Sequence, residues 1–504
     1  GDPDQRGRGA VLNLHRLAPG AESYYLDQVV SGIEDYYSEE GEAPGYWLAA
    51  AHQLGLDGQV RPEDLRAVLG GVDPRTGDHL HRARNRKVPG WDLAFRAPKS
   101  VSILWGLGDA VTSAQVEAAH DAAVARAMGY MEDVAAFTRT GRNGVHRAAS
   151  DGFVAAGFRH RTSRDRDPLL HTHVLVANSV CAADGRWRTI DATALYEHAK
   201  TGGCVYQAQL RHELTARLGV EWMPVHDGLS DIAGVDADLI RLFSKRREQI
   251  EQTMAEWGLT SARAAQVSTL ETRRAKVVSP ERLSDHAARW RSEALTTGHD
   301  LADLATITGR QSVPELDAGE TTTAFERLSS SAGLTASKST FDLRDVIRGL
   351  IDELPPGVSM ETIDDLAAQY LARDEVVTVG RKDRTGPLFS TTEMIDLERF
   401  VVDLASGGRS AGWAVAARTA VATAIRSRPS IAEEQAAVVR RCAGPVARSM
   451  YWSLLRERAR RSALTPHARR GVSLDTGSSV ARWPRRRPTS CTPDRASRQR
   501  RSPS

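Results

Sequence analysis

Cysteine and long apolar runs are what this 504-residue chain has least of. The four cysteines lie far apart along the sequence: Cys181, Cys204, Cys442 and Cys491. That spacing suits neither a zinc knuckle nor a disulfide framework, so we expect a cytoplasmic protein. No apolar run reaches the roughly 18 residues that a membrane span needs. The first ten residues, GDPDQRGRGA, also lack the apolar core of a signal peptide.

An excess of one charge sign is also missing, since 67 basic and 64 acidic side chains leave a net charge of +3. The distribution of charge is more informative. Arginines recur at 82–86 and 159–166, whereas acidic residues cluster at 34–42. Basic clusters suit a polyanionic partner, although many are only solvated faces. The hydrophobic fraction of 41% is enough for a sizeable core, and the length suggests two or three domains.

The hydrophobic pattern predicts a mixture of strands and helices. Strands are predicted at 11–17, 90–95, 151–160, 169–180 and 185–190. Helices are predicted at 23–37, from Lys99 onward, and at 113–136, 194–218 and 236–258. We therefore predict an α+β fold, in which helices pack on a mostly antiparallel sheet. Further along, Ala- and Arg-rich segments beyond 300 predict a mainly helical region, and the Arg/Ser/Pro-rich residues after 465 predict disorder.

Three of the fifteen histidines fall within the stretch FRHRTSRDRDPLLHTHV, residues 158–174. His171 and His173 lie two apart on a predicted strand and so point to the same face of the sheet. If the preceding strand pairs antiparallel through the polar connection 161–168, His160 reaches that face too. Three neutral imidazoles on one face form a tripod that leaves coordination positions open for a substrate. The sequence therefore predicts a catalytic metal site.

The sequence contains a second histidine pair. His79 and His81 share the same spacing, but no strand pattern and no third partner accompany them, so no metal role is predicted there. The tripod itself is compatible with a hydrase, an oxygenase or a phosphodiester-cleaving enzyme. The histidines alone do not choose among these.

Two tyrosine doublets, Tyr24-Tyr25 and Tyr36-Tyr37, hold four of the ten tyrosines in the chain. Neighbouring side chains on a helix point about 100° apart, so at most one of each doublet faces a given site. Such aromatics are often only core residues. As nucleophiles on a phosphodiester, however, phenols with a pKa of about 10 would need a metal and a base or electrostatic field. Asp92 is a candidate for that base, for a carboxylate that orients a ligand histidine, or for an ordinary surface residue.

The order and spacing of these motifs resemble the MobF family of conjugative relaxases, which belong to the HUH endonucleases. The matching segments are SYY…DYY, DLAFRAPKSVSILWGL, AHDAAVARAM, FRHRTSRDRDPLLHTHVLVAN and DGRWRTID, and YQAQLRHELTARLGVEW and FSKRREQIE extend the likeness to about residue 290. HUH stands for histidine–hydrophobe–histidine, and here Thr172 occupies the middle position in place of a hydrophobic residue. The resemblance implies a palm-like, mostly antiparallel sheet with helical fingers that cover bound DNA.

The resemblance also implies roles for individual residues. His160, His171 and His173 would hold a divalent cation, Mg²⁺ or Mn²⁺, against the scissile phosphate. Tyr24 matches the first catalytic tyrosine, which nicks the strand and keeps the 5′ phosphate, and Tyr36 matches the second. Tyr25 and Tyr37 are the alternative members of the doublets, and Asp92 matches an acidic residue beside them. The remaining candidates are DNA-binding residues: Lys99, Arg159, Arg161 and Arg164.

The implied activity is metal-dependent, sequence-specific nicking and strand transfer of single-stranded DNA at a plasmid origin of transfer. Conjugation accessory and coupling proteins are the implied partners. The alternatives are a rolling-circle replication initiator with the same chemistry, a non-cleaving DNA-binding remnant, and a tripod hydrolase acting on small molecules.

The domain organisation is predicted in five parts: an extension at 1–10, the relaxase domain at 11–290, a mainly helical connection at 291–427, the start of a helicase at 428–464, and the tail at 465–504. MobF relaxases usually continue into a helicase with the phosphate-binding loop G-x-x-x-x-G-K-[ST], and this chain contains no such sequence. We therefore expect no nucleotide binding and no helicase ATPase activity. A truncation or frameshift would account for the tail.

Overall fold

The computed structural model describes residues 12–20, 44–81, 88–163, 165–257, 283–382, 386–407 and 417–427, with isolated residues up to 440. Its strands are β1 Leu12–Arg16, β2 Tyr46–Ala49, β3 Gly90–Arg96, β4 Phe137–Thr140, β5 His146–Ala149, β6 Val154–Thr162, β7 Pro168–Ala177, β8 Val180–Cys181, β9 Trp187–Arg188, β10 Val376–Lys382 and β11 Gly386–Thr391. No helix in these ranges is long and apolar enough to cross a membrane.

The helices of the described residues are α1 Pro62–Gly70, α2 Lys99–Leu107, α3 Ala110–Ala135, α4 Thr193–Leu218, α5 Ala237–Leu242, α6 Lys245–Glu256, α7 Leu283–Thr296, α8 Ala302–Ala305, α9 Ala318–Ser329, α10 Leu343–Glu353, α11 Met360–Leu371, α12 Thr392–Gly407 and α13 Arg418–Arg426. The chain divides into two compact units. The first holds the described residues within 1–324 and 347–366, and the second those within 325–346 and 367–483.

A five-stranded sheet with the order β1-β3-β7-β6-β2 forms the centre of the first unit. Every neighbouring pair in it is antiparallel, as the sequence predicts. The strands that carry the three histidines, β6 and β7, lie side by side inside the sheet. Because β1 and β2 are its two edges, the chain between them begins at one edge and ends at the other.

Two 26-residue helices, α3 and α4, cover one face of the sheet, which we call the helix face. They run antiparallel, because His120 contacts Tyr206 while Tyr130, ten residues later, contacts His198. Phe95 of β3 lies 5.5 Å from the Tyr206 ring, centroid to centroid, which places α4 against this face. The helices are bounded by local signals. Asp109 caps the start of α3 through the Thr112 amide.

The opposite face bears the histidines, and we call it the histidine face. One end of this face is covered by an apolar cluster in which Trp47, Phe158 and Leu175 pack against Leu65 and Val68 of α1. Helix α1 fits this role because its apolar residues recur with helical spacing and Pro62 occupies its first turn. The cluster fills the end of the sheet away from His160 and His171. The histidine end of the same face is therefore where a site can form.

The helix predicted over 236–258 is wrong as a single element, because it is interrupted after Leu242. Phe243 is fully buried at this break, and a new helix, α6, starts at Lys245. The Lys245 amide donates to the carboxylate of Asp167, 3.0 Å away, which caps the new helix from the β6–β7 connection. A tertiary contact thus sets this boundary, and the local pattern does not contain it.

The carboxyl group of Glu132 in α3 should make the stability of the protein depend on pH. Its carboxylate accepts the Phe153 amide at 2.7 Å, and burial raises its pKa to about 7. The folded state therefore keeps a proton that the unfolded chain, with a pKa of about 4.3, has released, and stability falls as the pH rises from about 4.5 to 7. Glu132→Gln keeps the acceptor oxygen and removes the ionisation. We expect this variant to be more stable than wild type at pH 8 by about 3–4 kcal/mol, but not at pH 4.5.

Urea unfolding at the two pH values measures this difference. The exposed Glu248→Gln substitution is the matched control and should leave the pH dependence unchanged. A Glu132→Gln variant that keeps the wild-type difference between pH 4.5 and pH 8 would contradict the assignment.

Candidate metal centre

The three predicted histidines converge at the end of strands β6 and β7. His160 lies directly opposite His171 in the strand register, and His173 follows two residues later on the same face. The three ring centroids are 5.1–5.2 Å apart, and one ligand nitrogen from each ring lies within 4.8 Å of the others. This is the only such cluster of histidine, cysteine or acidic residues in the described part of the chain.

Hydrogen bonds fix two of the rings in the form that binds metals. His171 Nδ1 lies 2.9 Å from the Leu169 carbonyl oxygen, which can only accept, so Nδ1 carries the proton. His173 Nδ1 lies 2.8 Å and 2.9 Å from the two carboxylate oxygens of Asp92. In a neutral ring Nε2 is then the unprotonated nitrogen with a lone pair to offer. The donor set therefore fits a divalent cation held by nitrogen ligands.

The surroundings of His171 keep it neutral. The residue is buried, and burial lowers its pKa well below the usual value, with further lowering from His160, His173 and Arg96. A protonated imidazole cannot coordinate a cation, so this environment favours the ligand form.

The Asp92 side chain lies against His173, where sequence reasoning left three roles open. Because both carboxylate oxygens contact Nδ1, the orienting role is the one that this geometry supports best. We expect Asp92→Ala to lower Mn²⁺ affinity by about 10- to 100-fold, whereas Asp92→Asn, whose amide oxygen still accepts from Nδ1, should retain most of it. Titration calorimetry with Mn²⁺ measures both values. An Asn variant as impaired as the Ala variant would argue that the negative charge, and not the orientation of the ring, is what matters.

Thr172, between the two ligand histidines, points to the helix face and is fully buried. Its hydroxyl is 2.8 Å from His120 Nε2, and His120 Nδ1 is 2.8 Å from the Tyr206 hydroxyl. Burial lowers the pKa of His120 to about 3, so the ring stays neutral and acts as one donor and one acceptor. The hydrogen bonds of this buried triad offset the cost of placing a polar residue where a hydrophobic one would otherwise fit.

Three of the four predicted DNA-binding residues, Lys99, Arg159 and Arg161, have partners within the protein. Lys99 Nζ donates to the Pro168 carbonyl at 2.9 Å, and burial lowers its pKa to about 8. Arg159 pairs with Glu117 and Asp121 of α3 at 3.0 Å and 2.6 Å, on the helix face, and Arg161 also contacts Glu117. Arg164 lies outside the described residues. DNA contact by any of these residues stays a prediction.

The four tyrosines, Tyr24, Tyr25, Tyr36 and Tyr37, also lie outside the described residues. They belong to the stretch 21–43 between β1 and β2. Leu17 and Trp47, on either side of that stretch, both belong to the apolar cluster of the histidine face. The nucleophilic role of the tyrosines stays a prediction.

Sequence reasoning missed two features of the site. The first is Arg96, which lies directly opposite His171 in the β3–β7 register. The signal was present, because residues 92, 94 and 96 of a strand share one face, but Arg96 borders the Pro98 break, where the pattern predicts the start of a helix instead. The second is the His120–Thr172–Tyr206 triad, whose members are too far apart in sequence to be linked by any local pattern.

Comparison with known proteins identifies the family and the fold. The sequence model of the TrwC relaxase family matches residues 18–297, more than half of the chain. The chain belongs to the TrwC relaxase family. The resemblance to MobF conjugative relaxases is thereby confirmed, as is the antiparallel sheet with packed helices. The matched stretch overlaps the predicted relaxase domain at 11–290, whose boundaries stay a prediction.

Relatives of this TrwC-family chain include proteins with solved structures. A copper-bound structure of conjugative relaxase TrwC in complex with oriT DNA is 32% identical, with a TM-score of 0.51. A metal-bound TrwC–oriT complex is 31% identical, also with a TM-score of 0.51. Each similarity covers 57% of this chain and 99% of the relative. These two relatives are thus relaxases that hold both metal and DNA.

A longer relative is the multifunctional conjugation protein TraI of Escherichia coli strain K12, which is 32% identical over 369 residues. The similarity covers 68% of this chain and 20% of TraI, so the chain spans about a fifth of the length of this curated relative. Nothing in these comparisons bears on the predicted loss of a helicase.

Proposed function

We propose that this chain nicks and transfers single-stranded DNA at an origin of conjugative transfer, by a metal-dependent transesterification on tyrosine. The observation that carries the proposal is the His160–His171–His173 tripod, with Asp92 behind it, in a member of the TrwC relaxase family. The two TrwC relatives compared with this chain were solved with both oriT DNA and metal.

His160, His171 and His173 would hold the cation through one ring nitrogen each, and Asp92 would keep the His173 ring in place. When bound, a divalent cation polarises a phosphate oxygen and stabilises the charge that develops there. The buried His120 behind Thr172 fixes β7 against α3 and α4, so the ligand strand has little freedom to shift. The protein thereby supplies a rigid ligand set on one side of the scissile phosphate.

The reaction needs no reagent beyond the tyrosine, the DNA and a proton acceptor. The Tyr24 oxygen forms a bond to phosphorus while the bond from phosphorus to the 3′ oxygen breaks. The phenolic proton passes to solvent or a base, and the departing 3′ oxygen takes up a proton. A 5′-phosphotyrosine ester and a free 3′ hydroxyl result. Attack by a 3′ hydroxyl on the ester reverses the step and rejoins a strand.

Tyr24 is the proposed first nucleophile and Tyr36 the second, with Tyr25 and Tyr37 as alternative members of the doublets. Mg²⁺ or Mn²⁺ is the proposed cation, because both bind phosphate oxygens; three imidazole ligands are by themselves better suited to zinc, copper, iron or nickel. Accessory and coupling proteins of conjugation are the proposed partners, in the cytoplasm. The metal seen in one TrwC relative is copper, so the choice of cation needs its own measurement.

Covalent capture tests the proposal and in the same step finds the DNA sequence that is recognised. The full chain is incubated with a random single-stranded DNA library and Mn²⁺, and the DNA that stays attached under denaturing conditions is sequenced. We expect a single enriched motif with one fixed cleavage position. Binding of DNA without any covalent capture would support the non-cleaving remnant instead. Enrichment from the same library with EDTA in place of Mn²⁺ would argue against a metal-dependent step.

A further inference from the structure

We propose that Arg96 binds a non-bridging oxygen of the phosphate that is cleaved, beside the metal site. The proposal rests on the proposed function and adds a residue to the proposed catalytic machinery. It begins from the placement of Arg96 on the histidine face, which neither the motifs nor the resemblance pointed to.

The strand register fixes this placement. Arg96 of β3 pairs directly with His171 of β7, and His171 pairs directly with His160 of β6. Residues that pair between neighbouring strands share a face of the sheet, and their Cα atoms lie about 4.5–5.5 Å apart. The three side chains therefore form one row across the sheet, with Arg96 at the β3 end. An arginine side chain is long enough to extend its guanidinium over the neighbouring ligand in such a row.

The Arg96 side chain reaches solvent, although the atoms packed around its guanidinium lower its pKa. Arg96 is exposed, whereas His160 and His171 beside it are buried. Among the described residues, no carboxylate pairs with its side chain and no acceptor receives a hydrogen bond from it. Its backbone is held from the helix face, where Gln207 donates to the Arg96 carbonyl at 2.9 Å. The strand is thus fixed, and within the described ranges the charged end of the side chain makes no hydrogen bond or ion pair.

The other arginines of this region differ in this respect. Arg159 and Arg161 are paired with acidic residues of α3 on the helix face. Asp92 shares the strand and face with Arg96, but its carboxylate contacts His173. Asp92 attracts Arg96 through space, but among the described residues no carboxylate forms an ion pair with it. Such a positive group next to a cation site favours an anionic ligand. The planar guanidinium matches two phosphate oxygens with two parallel hydrogen bonds, which a single ammonium group cannot do.

The function of such a contact follows from the charge of the transition state. Negative charge on the non-bridging oxygens grows as the tyrosine oxygen attacks, and a donor already in position stabilises that charge without reorganising. The contact should therefore act mainly on the rate of the bond-breaking step and less on overall DNA affinity. Affinity is shared among many backbone contacts, so one of them contributes little.

The experiment compares Arg96→Gln, Arg96→Lys and Arg16→Gln in the full chain. Arg16 is exposed on β1 and pairs with Trp91, on the face away from the histidines, so its substitution removes the same charge from the same sheet. The substrate is a synthetic oligonucleotide carrying the motif recovered by covalent capture. The three readouts are the single-turnover rate of adduct formation at saturating DNA, DNA affinity without metal, and Mn²⁺ affinity.

We expect Arg96→Gln to slow adduct formation about 100-fold, with DNA affinity changed less than about threefold and Mn²⁺ affinity retained. Arg96→Lys should recover part of the rate, because it restores charge without the two parallel donors. Arg16→Gln should match wild type. An Arg96→Gln rate within twofold of wild type would overturn the proposal, and so would a loss confined to DNA affinity. If wild type itself forms no adduct, the proposed function fails before Arg96 is tested.

Discussion

His171→Ala is expected to abolish Mn²⁺ binding and covalent adduct formation together, while the protein stays folded. The substitution removes the ligand at the centre of the row that His171 forms with His160 and Arg96, leaving two imidazoles. Since substituting even the partners behind metal ligands costs 10- to 100-fold in affinity, losing a ligand should cost more than about 100-fold. Titration calorimetry with Mn²⁺ and a denaturing gel of the DNA adduct measure the two effects.

The chain supplies its own control for this prediction. His79 belongs to the other histidine pair with the same spacing, is exposed, and has no part in the cluster. His79→Ala should bind Mn²⁺ and form the adduct as wild type does. A His171→Ala variant with wild-type Mn²⁺ affinity would show that the three rings do not bind the cation as one site. Normal binding with loss of the adduct would instead place His171 in the chemistry and not in the metal site.

Tyr24→Phe is expected to eliminate the covalent adduct while leaving DNA and Mn²⁺ binding unchanged. Phenylalanine keeps the ring and removes only the oxygen that would form the bond to phosphorus. The loss should reach the detection limit of a denaturing gel with labelled DNA, because phenylalanine has no oxygen to attack phosphorus and Tyr36 is proposed to act only in the second step. Tyr25→Phe, one residue away, is the matched control and should retain the adduct.

Substitution of Tyr36, in the downstream doublet, tests whether the two proposed nucleophiles act in separate steps. Tyr36→Phe should still form the first adduct but fail to transfer a strand in a second step, as followed with two differently labelled oligonucleotides. If Tyr24→Phe keeps the adduct and Tyr25→Phe loses it, the assignment within the first doublet is reversed. If both variants keep it, the nucleophile lies elsewhere in the chain.

The tripod was predictable because a strand repeats every two residues. His171 and His173 had to share a face, and a polar connection between two predicted strands brought His160 opposite His171. The long helices were equally readable, since α3 and α4 carry apolar or Ala-rich periodicity over 26 residues each. Long periodic elements average out local exceptions, which is why these predictions were confirmed.

Short elements and tertiary contacts were not predictable from the pattern. Strand β2 has only four residues, and the β4–β5 hairpin reads FTRT and HRAA, so neither shows a clear alternation. The break before α6 depends on Asp167 capping Lys245 across 78 residues of sequence. His120 meets Thr172 across 52 residues, and only the folded sheet brings them together. Such contacts are set by the fold as a whole and leave no local signal.

Intact-protein mass spectrometry of the wild-type chain tests the central claim most directly. The full chain is incubated with the captured oligonucleotide, with Mn²⁺ in one sample and EDTA in the other, and its mass is measured under denaturing conditions. The account predicts a mass increase equal to the downstream DNA fragment with its 5′ phosphate, in the Mn²⁺ sample only. Cleaved DNA with no increase in protein mass would contradict a covalent tyrosine intermediate, and an equal increase in EDTA would contradict the role of the histidine-bound metal.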